Sequence, residues 1–223
     1  MNHYIAVDVG GTAIKHALLD EEGNLIKQGD LPTPYESLEV FLDTLQLIYA
    51  LYEKDDPKAF VMSAPGRIDS SKGYFFTGGS LTYISEFNIQ EALKERIPLP
   101  FSLENDGKAA ALAELWKGSM KDVEHGAVLT LGTGVGGALI IHHQLYRGRH
   151  FSAGEFSFVS ADFEAGYDIS EGFFQAKLWA TLGSVKSLCM KYAMMKNEDP
   201  ETMNGRILFE IANAHEVEAK ACI

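Results

Sequence analysis

At 223 residues with 46% hydrophobic content, the chain can bury one large core or two modest ones, and its two distant cysteines, Cys189 and Cys222, exclude a disulfide framework and a four-cysteine zinc site. The formal net charge of -12 works against a broad nucleic-acid or anionic-membrane surface, since phosphates would repel the chain and no basic stripe offsets that repulsion. No apolar run approaches the ~20 residues of a membrane helix, and the first residues lead straight into a strand, so we expect a cytoplasmic globular protein without a signal peptide.

The chain opens with alternating apolar residues that predict strands over 3–9, 13–19 and 24–29, an antiparallel meander turned by Glu21-Glu22-Gly23-Asn24 and broken by Pro32 and Pro34. From Ser37, the residues Leu38, Phe41, Leu42, Leu45, Ile48 and Tyr52 recur at three- and four-residue spacing, an amphipathic helix ending before Pro57. A strand is expected over 59–62, then a turn at Ala64-Pro65-Gly66, a loop or short hairpin over 73–79, and a helix near 88–97. Phe101 to Glu104 reads as a buried strand delivering Asn105 and Asp106 to its carboxyl end, with a helix over 107–116 behind them. That end is where α/β proteins place ligands.

A second half begins with a strand at 126–131, a glycine turn, and a return strand over 138–142 apolar enough to be buried on both faces. From Ser170 onward the pattern is mostly helical, with a helix through Ile207, Leu208, Ile211 and Ala212 near the end. We expect an α/β fold with a lobe boundary between about 117 and 124.

Two turns carry the first functional signal. Asp8-Val9-Gly10-Gly11-Thr12 and Gly132-Thr133-Gly134-Val135-Gly136-Gly137 each join apolar strands and offer backbone N–H groups with little side chain in front of them, two clamps for one polyphosphate. The Gly-x4-Gly-Lys-Ser/Thr spacing is absent and both turns lead into strands, which disfavours P-loop and Rossmann readings. Asp8 at the end of its strand suits Mg²⁺ held through water, Thr12 a hydrogen bond to the transferred phosphoryl group, and Lys15 a counter-charge. The alternative is a solvated hairpin.

Asp106 is the strongest catalytic candidate, because phosphoryl transfer to a hydroxyl benefits from a carboxylate that orients it and accepts its proton. Asn105 can donate to and accept from sugar hydroxyls. The competing reading is that Asp106 or Asn105 merely caps the following helix. Glu155, after Ala153-Gly154, either points into a cleft or lies on the surface. His142-His143 reads as hairpin decoration, since adjacent side chains on opposite strand faces make a poor metal pair.

In chain order, Val7 to Lys15, Ala64-Pro65-Gly66-Arg67-Ile68-Asp69, Leu103-Glu104-Asn105-Asp106-Gly107-Lys108 with Ala109 to Ala111, Leu131 to Gly137, and Ala153-Gly154-Glu155 together resemble the ROK family (repressors, open reading frames and kinases) of the actin-like ATPase superfamily. The resemblance implies an actin-like, ribonuclease H-like fold in two lobes, an N-terminal one over 1–118 and a C-terminal one over 119–223, incomplete at its C-terminus. It implies an ATP-dependent sugar kinase acting on a hexose or hexoside hydroxyl, often that on carbon 6. Asp106 would be the general base, Gly66, Asn105 and Glu155 sugar-binding, and Gly10, Gly11, Thr12, Gly132, Thr133 and Gly134 phosphate-binding, with ATP and Mg²⁺ as cofactors and a homodimer as the expected assembly.

Ser157 and Phe158 stand where the family has glycine and histidine, and the family's cysteine cluster is missing, so we expect no zinc. Asp162 to Trp179 takes its place and leaves the second sugar-gripping glutamate without an assignment. Nothing after Asn204-Gly205-Arg206 resembles the glycine-rich strand-turn that supports adenine, and a chain cut short is the expectation. The family's repressors carry a DNA-reading helix pair ahead of the first phosphate motif, and only seven residues precede Asp8. A sugar-binding fragment without turnover remains the other reading.

Overall fold

The structure, a computed structural model, describes residues 2–132, 134–160 and 178–223. The chain forms two compact units, one of Met1–Ala109 with Gly148–Ser152 and one of Ala110–Arg147 with Ala153–Ile223.

In the first unit, β1 (His3–Val9), β2 (Ala13–Asp20) and β3 (Leu25–Pro32) form the expected antiparallel meander. The Asp20 carboxylate holds its first turn, accepting the N–H groups of Glu22 at 3.0 Å and Asn24 at 2.8 Å. β3 runs through Pro32 rather than ending before it, which an edge strand permits because no neighbour needs the missing N–H. The helix α1 (Leu38–Tyr52) starts on Ser37, whose hydroxyl accepts the Val40 N–H, and buries Phe41, Leu42, Leu45, Ile48 and Tyr52. These join Ile5, Val7, Leu18 and Phe60 in one apolar cluster, each fully buried large side chain contributing roughly 1.5–3 kcal/mol.

Two further strands, β4 (Pro57–Ala64) and β8 (Phe101–Asn105), add in parallel to the other side of β1, giving the order β3-β2-β1-β4-β8. Between them the chain builds a separate antiparallel sheet of β5 (Arg67–Asp69), β6 (Tyr74–Thr77) and β7 (Ser85–Asn88), where the sequence suggested no more than a loop or hairpin. The helix expected near 88–97 is the shorter α2 (Ile89–Leu93), capped by Asn88.

The helix α3 (Asp106–Lys117) leads into the second unit. There β9 (Gly126–Leu131), β10 (Val135–Ile141) and β11 (Gln144–Tyr146) repeat the meander in the order β11-β10-β9. One face of this sheet packs Ala138 and Ile140 against Ala111, Leu115 and Met120. β10 is not buried on both faces throughout: Ile141 is exposed, and Leu129 and Leu131 beside it on β9 are about half exposed. The helices α4 (Trp179–Leu182), α5 (Val185–Lys196), α6 (Gly205–Asn213) and α7 (Val217–Cys222) follow, the last three sharing a small core of Cys189, Tyr192, Leu208, Ala212, Ala219 and Cys222. Among the described residues, no helix is long and apolar enough to cross a membrane.

Candidate active site

Parallel pairing of β1, β4 and β8 sets their carboxyl ends side by side, with Asp8 opposite Ser63 and Ser63 opposite Glu104. Neighbouring strands lie about 4.8 Å apart, so the Asp8 and Glu104 backbones are about 10 Å apart. On this edge the first unit gathers Asp8, the Gly10-Gly11-Thr12 turn, Gly66, Asn105 and Asp106. Lys15 lies directly across from Asp8 in the β1–β2 register and is exposed.

The first glycine turn is held from behind. Thr33 donates its hydroxyl to Gly10 O at 2.6 Å and its N–H to Thr12 O at 3.1 Å, and the Tyr35 hydroxyl donates to Gly11 O at 2.5 Å. In a trans peptide the N–H points opposite the carbonyl, so these bonds turn the Gly11 and Thr12 N–H groups outward. An anion would meet them there. A Cβ on Gly10 would lie 3.0 Å from Ala13 O, so the tight turn also constrains this position sterically. Beside the turn, the exposed Asp8 carboxylate accepts the Ser63 hydroxyl at 2.7 Å. That is a positioned hard-oxygen donor of the kind Mg²⁺ takes.

Asn105 is the residue that caps α3: its Oδ1 accepts the Lys108 N–H at 3.1 Å. Its Nδ2 donates to Gly66 O at 3.1 Å and to Asp106 Oδ1 at 2.9 Å, and Gly107 N donates to the same Oδ1 at 2.8 Å. The Asp106 side chain is exposed, while Asn105 is buried. Capping and orientation are thus the task of the amide, and the carboxylate is held by two donors at the first position of the helix, where negative charge is favoured. Behind them Glu104, also buried, accepts the Asn105 N–H at 3.0 Å. Gly66 has φ +106°, and a Cβ there would sit 2.0 Å from Thr77 O, so only glycine lets the chain leave β4 toward β5 at this point.

In the second unit, Gly132 N donates to Gly134 O at 2.9 Å, and Gly132 O accepts the Val185 N–H at the start of α5. Among the described residues, a Cβ on Gly132 or Gly134 would meet nothing within 4 Å. Packing among the described residues therefore does not demand glycine at either position. Thr133 lies outside the described residues. Gly154 has φ +74° and lies against β10, where a Cβ would come within 2.6 Å of Ala138 Cα, and this close packing fixes the start of Glu155. Glu155 is part-buried. The Ser157 hydroxyl lies 2.6 Å from Glu155 Oε1 and 2.7 Å from Val135 O, its single proton serving one of them at a time. Phe158 is 61% exposed, and Trp179 is 38% exposed with its ring centroid 6.4 Å from that of Phe156. Residues 161–177, including most of the segment that replaces the family's cysteine cluster, lie outside the described residues.

The supporting groups Thr33, Tyr35, Ser63 and Glu104 carry no chemical signature of their own in the sequence. Thr33 and Tyr35 sit in the proline-broken stretch after β3, and only the return of that stretch beneath the glycine turn reveals their role.

Among proteins of known name, the chain is 34% identical over 163 residues to a beta-glucoside kinase of Klebsiella pneumoniae, a match covering 73% of this chain and 54% of that protein. It is 30% identical over 222 residues to a beta-glucoside kinase of Listeria monocytogenes, covering 98% of this chain and 72% of the relative. Among solved structures, a ROK family glucokinase from Streptomyces griseus in complex with glucose and AMPPNP superposes with a TM-score of 0.84 at 24% identity, over 99% of this chain and 74% of that one. That superposition carries the fold, which is the actin-like ATPase fold. The ROK family pattern matches residues 4–222, and the chain belongs to the ROK family.

Proposed function

We propose that this chain is an ATP-dependent sugar kinase that transfers the γ-phosphoryl group to a hexose or hexoside hydroxyl, that on carbon 6, with Asp106 as general base. The observation that supports the reading is the shared edge of β1, β4 and β8, on which lie the Gly10-Gly11-Thr12 turn, Asp8 bonded to Ser63, and Asp106 bonded to Asn105. The sugar hydroxyl loses its proton to Asp106 as its oxygen bonds to the γ-phosphorus and the bridging oxygen leaves with ADP. Asn105, Gly66 and Glu155 would bind sugar hydroxyls, and Gly10, Gly11, Thr12, Gly132, Thr133 and Gly134 phosphates, with Lys15 as counter-charge. Asp8 would hold Mg²⁺ through water, and the ion supplies charge neutralisation on the phosphates.

The exposed apolar ring of Phe158, in a position the family gives to histidine, favours a hexose carrying a β-linked substituent over the free sugar. Two relatives named beta-glucoside kinase support that class. A coupled ADP-release assay on glucose and on a panel of aryl β-glucosides tests both levels. Turnover that is faster on the glucosides and abolished by Asp106→Asn is expected. Glucose preferred over every glucoside overturns the substrate class, and ADP release unaffected by Asp106→Asn overturns the base.

The second reading is sugar binding without turnover. Saturable sugar binding with no ADP from any sugar would select it.

A further inference from the structure

The two histidines dismissed as turn decoration are separated by the fold. β10 and β11 are joined by His142 and His143, both in the left-handed region at φ 52° and 58°. A two-residue turn of that kind favours Asn-Gly, because both positions require positive φ. Here two imidazoles occupy it. His143 faces Val123, with Nδ1 3.2 Å from its carbonyl oxygen. The His142 ring instead packs edge-on against His125, centroids 4.7 Å apart, and its Nδ1 lies 3.4 Å from Glu124 Oε1. His125 Nε2 is 3.7 Å from the same carboxylate oxygen.

We propose that Glu124, His125 and His142 form a surface site for a borderline divalent metal ion of the zinc class, with water completing the coordination. One donor atom from each residue falls within 4.8 Å of the others, and all three side chains are exposed. A tetrahedral ion with bonds of about 2.0–2.2 Å holds its ligands about 3.4 Å apart. The Glu124–His142 pair already has that separation, and the two remaining spacings close by small rotations of solvent-exposed side chains. Two imidazoles and one carboxylate suit zinc, nickel or copper over magnesium or calcium. The chain's net charge of -12 further favours a cation. His125 Nδ1 accepts the His142 N–H at 3.2 Å, so coordination through Nε2 moves the ring proton to Nδ1 and exchanges that contact for water, which its exposure allows.

This site is independent of the cysteine cluster whose absence led us to expect no zinc. It is also distinct from the phosphate turn. The strand β9 separates the two, and its six residues span about 20 Å. A bound ion would pin the entry to β9 to the β10–β11 turn.

Calorimetric titration of the full chain with zinc chloride tests the proposal, alongside His125→Ala, His142→Asn and His143→Asn. One micromolar-range site per chain is expected in the parent and in His143→Asn, with affinity at least tenfold weaker in the other two. Asparagine is a residue the turn favours, so His142→Asn should fold as well as the parent, and loss of binding in a variant of unchanged or raised Tm supports coordination over a fold defect. In the parent, zinc should shift the ring resonances of His125 and His142 and leave those of His215 in place. Affinity that falls less than tenfold in both ligand variants, or ring shifts confined to other histidines, overturns the proposal.

Discussion

Asn105 Oδ1 accepts the backbone N–H of Lys108 at 3.1 Å and caps the start of α3, while its Nδ2 donates to Asp106 Oδ1 at 2.9 Å. Variants can read the cap and the proposed chemistry of Asp106 apart. Asn105→Ala removes the cap and the donor to Gly66 and is expected to cost about 1–2 kcal/mol of stability together with activity. Asp106→Asn should cost under about 1 kcal/mol while lowering kcat about 10²–10⁴-fold. Denaturant unfolding beside steady-state kinetics checks both.

Glycines in the two units are expected to fail differently. Gly66→Ala forces a methyl against Thr77 O at a φ of +106°, and should destabilise the first unit by at least about 1–3 kcal/mol. Gly132→Ala and Gly134→Ala meet no atom of the described residues within 4 Å, so stability should change by less than about 1 kcal/mol. Their effect should appear as a raised KM for ATP. Equal destabilisation at all three positions would remove the argument that the second turn is kept open for phosphate.

A pH dependence follows from the buried His16, whose Nδ1 lies 2.6 Å from the Tyr52 hydroxyl. Burial holds its imidazole below the ordinary 6.5, against the opposing pull of Asp30. A site on Gly29 has no room for a side chain because the His16 ring fills it, at 2.7 Å from where a Cβ would be. The unfolded chain therefore binds a proton on His16 more readily than the folded one. Stability from this group is present in full above pH 6.5 and is lost as pH falls through the lowered folded-state value. Unfolding free energies measured from pH 8 to 5 should decline below 6.5 in the parent, and the part of that decline due to His16 should vanish in His16→Asn.

The meander and α1 are legible in sequence because Ile5, Val7 and Val9 alternate with exposed or half-exposed residues, and because Ser37 announces a helix whose apolar residues repeat on one face. Asn105 and Asp106 are legible because they follow a short apolar strand. The sheet of β5, β6 and β7 is not, since β7 begins with the exposed Ser85 and Glu86 and shows no apolar alternation. Its pairing with β6 is a long-range choice that local pattern cannot report. The same reason hides Ser63 behind Asp8, 55 positions away, and His125 beside His142, 17 positions away. Sequence names the candidate side chain and omits the neighbour bonded to it.

The central claim is that the edge of β1, β4 and β8 receives a sugar. A crystal structure of the chain soaked with a β-glucoside measures it most directly. The account predicts the hydroxyl on carbon 6 within about 2.6–3.2 Å of the Asp106 carboxylate, with Asn105 bonded to a neighbouring hydroxyl. A glucoside bound in an ordered site away from Asp106 and Asn105 would contradict it.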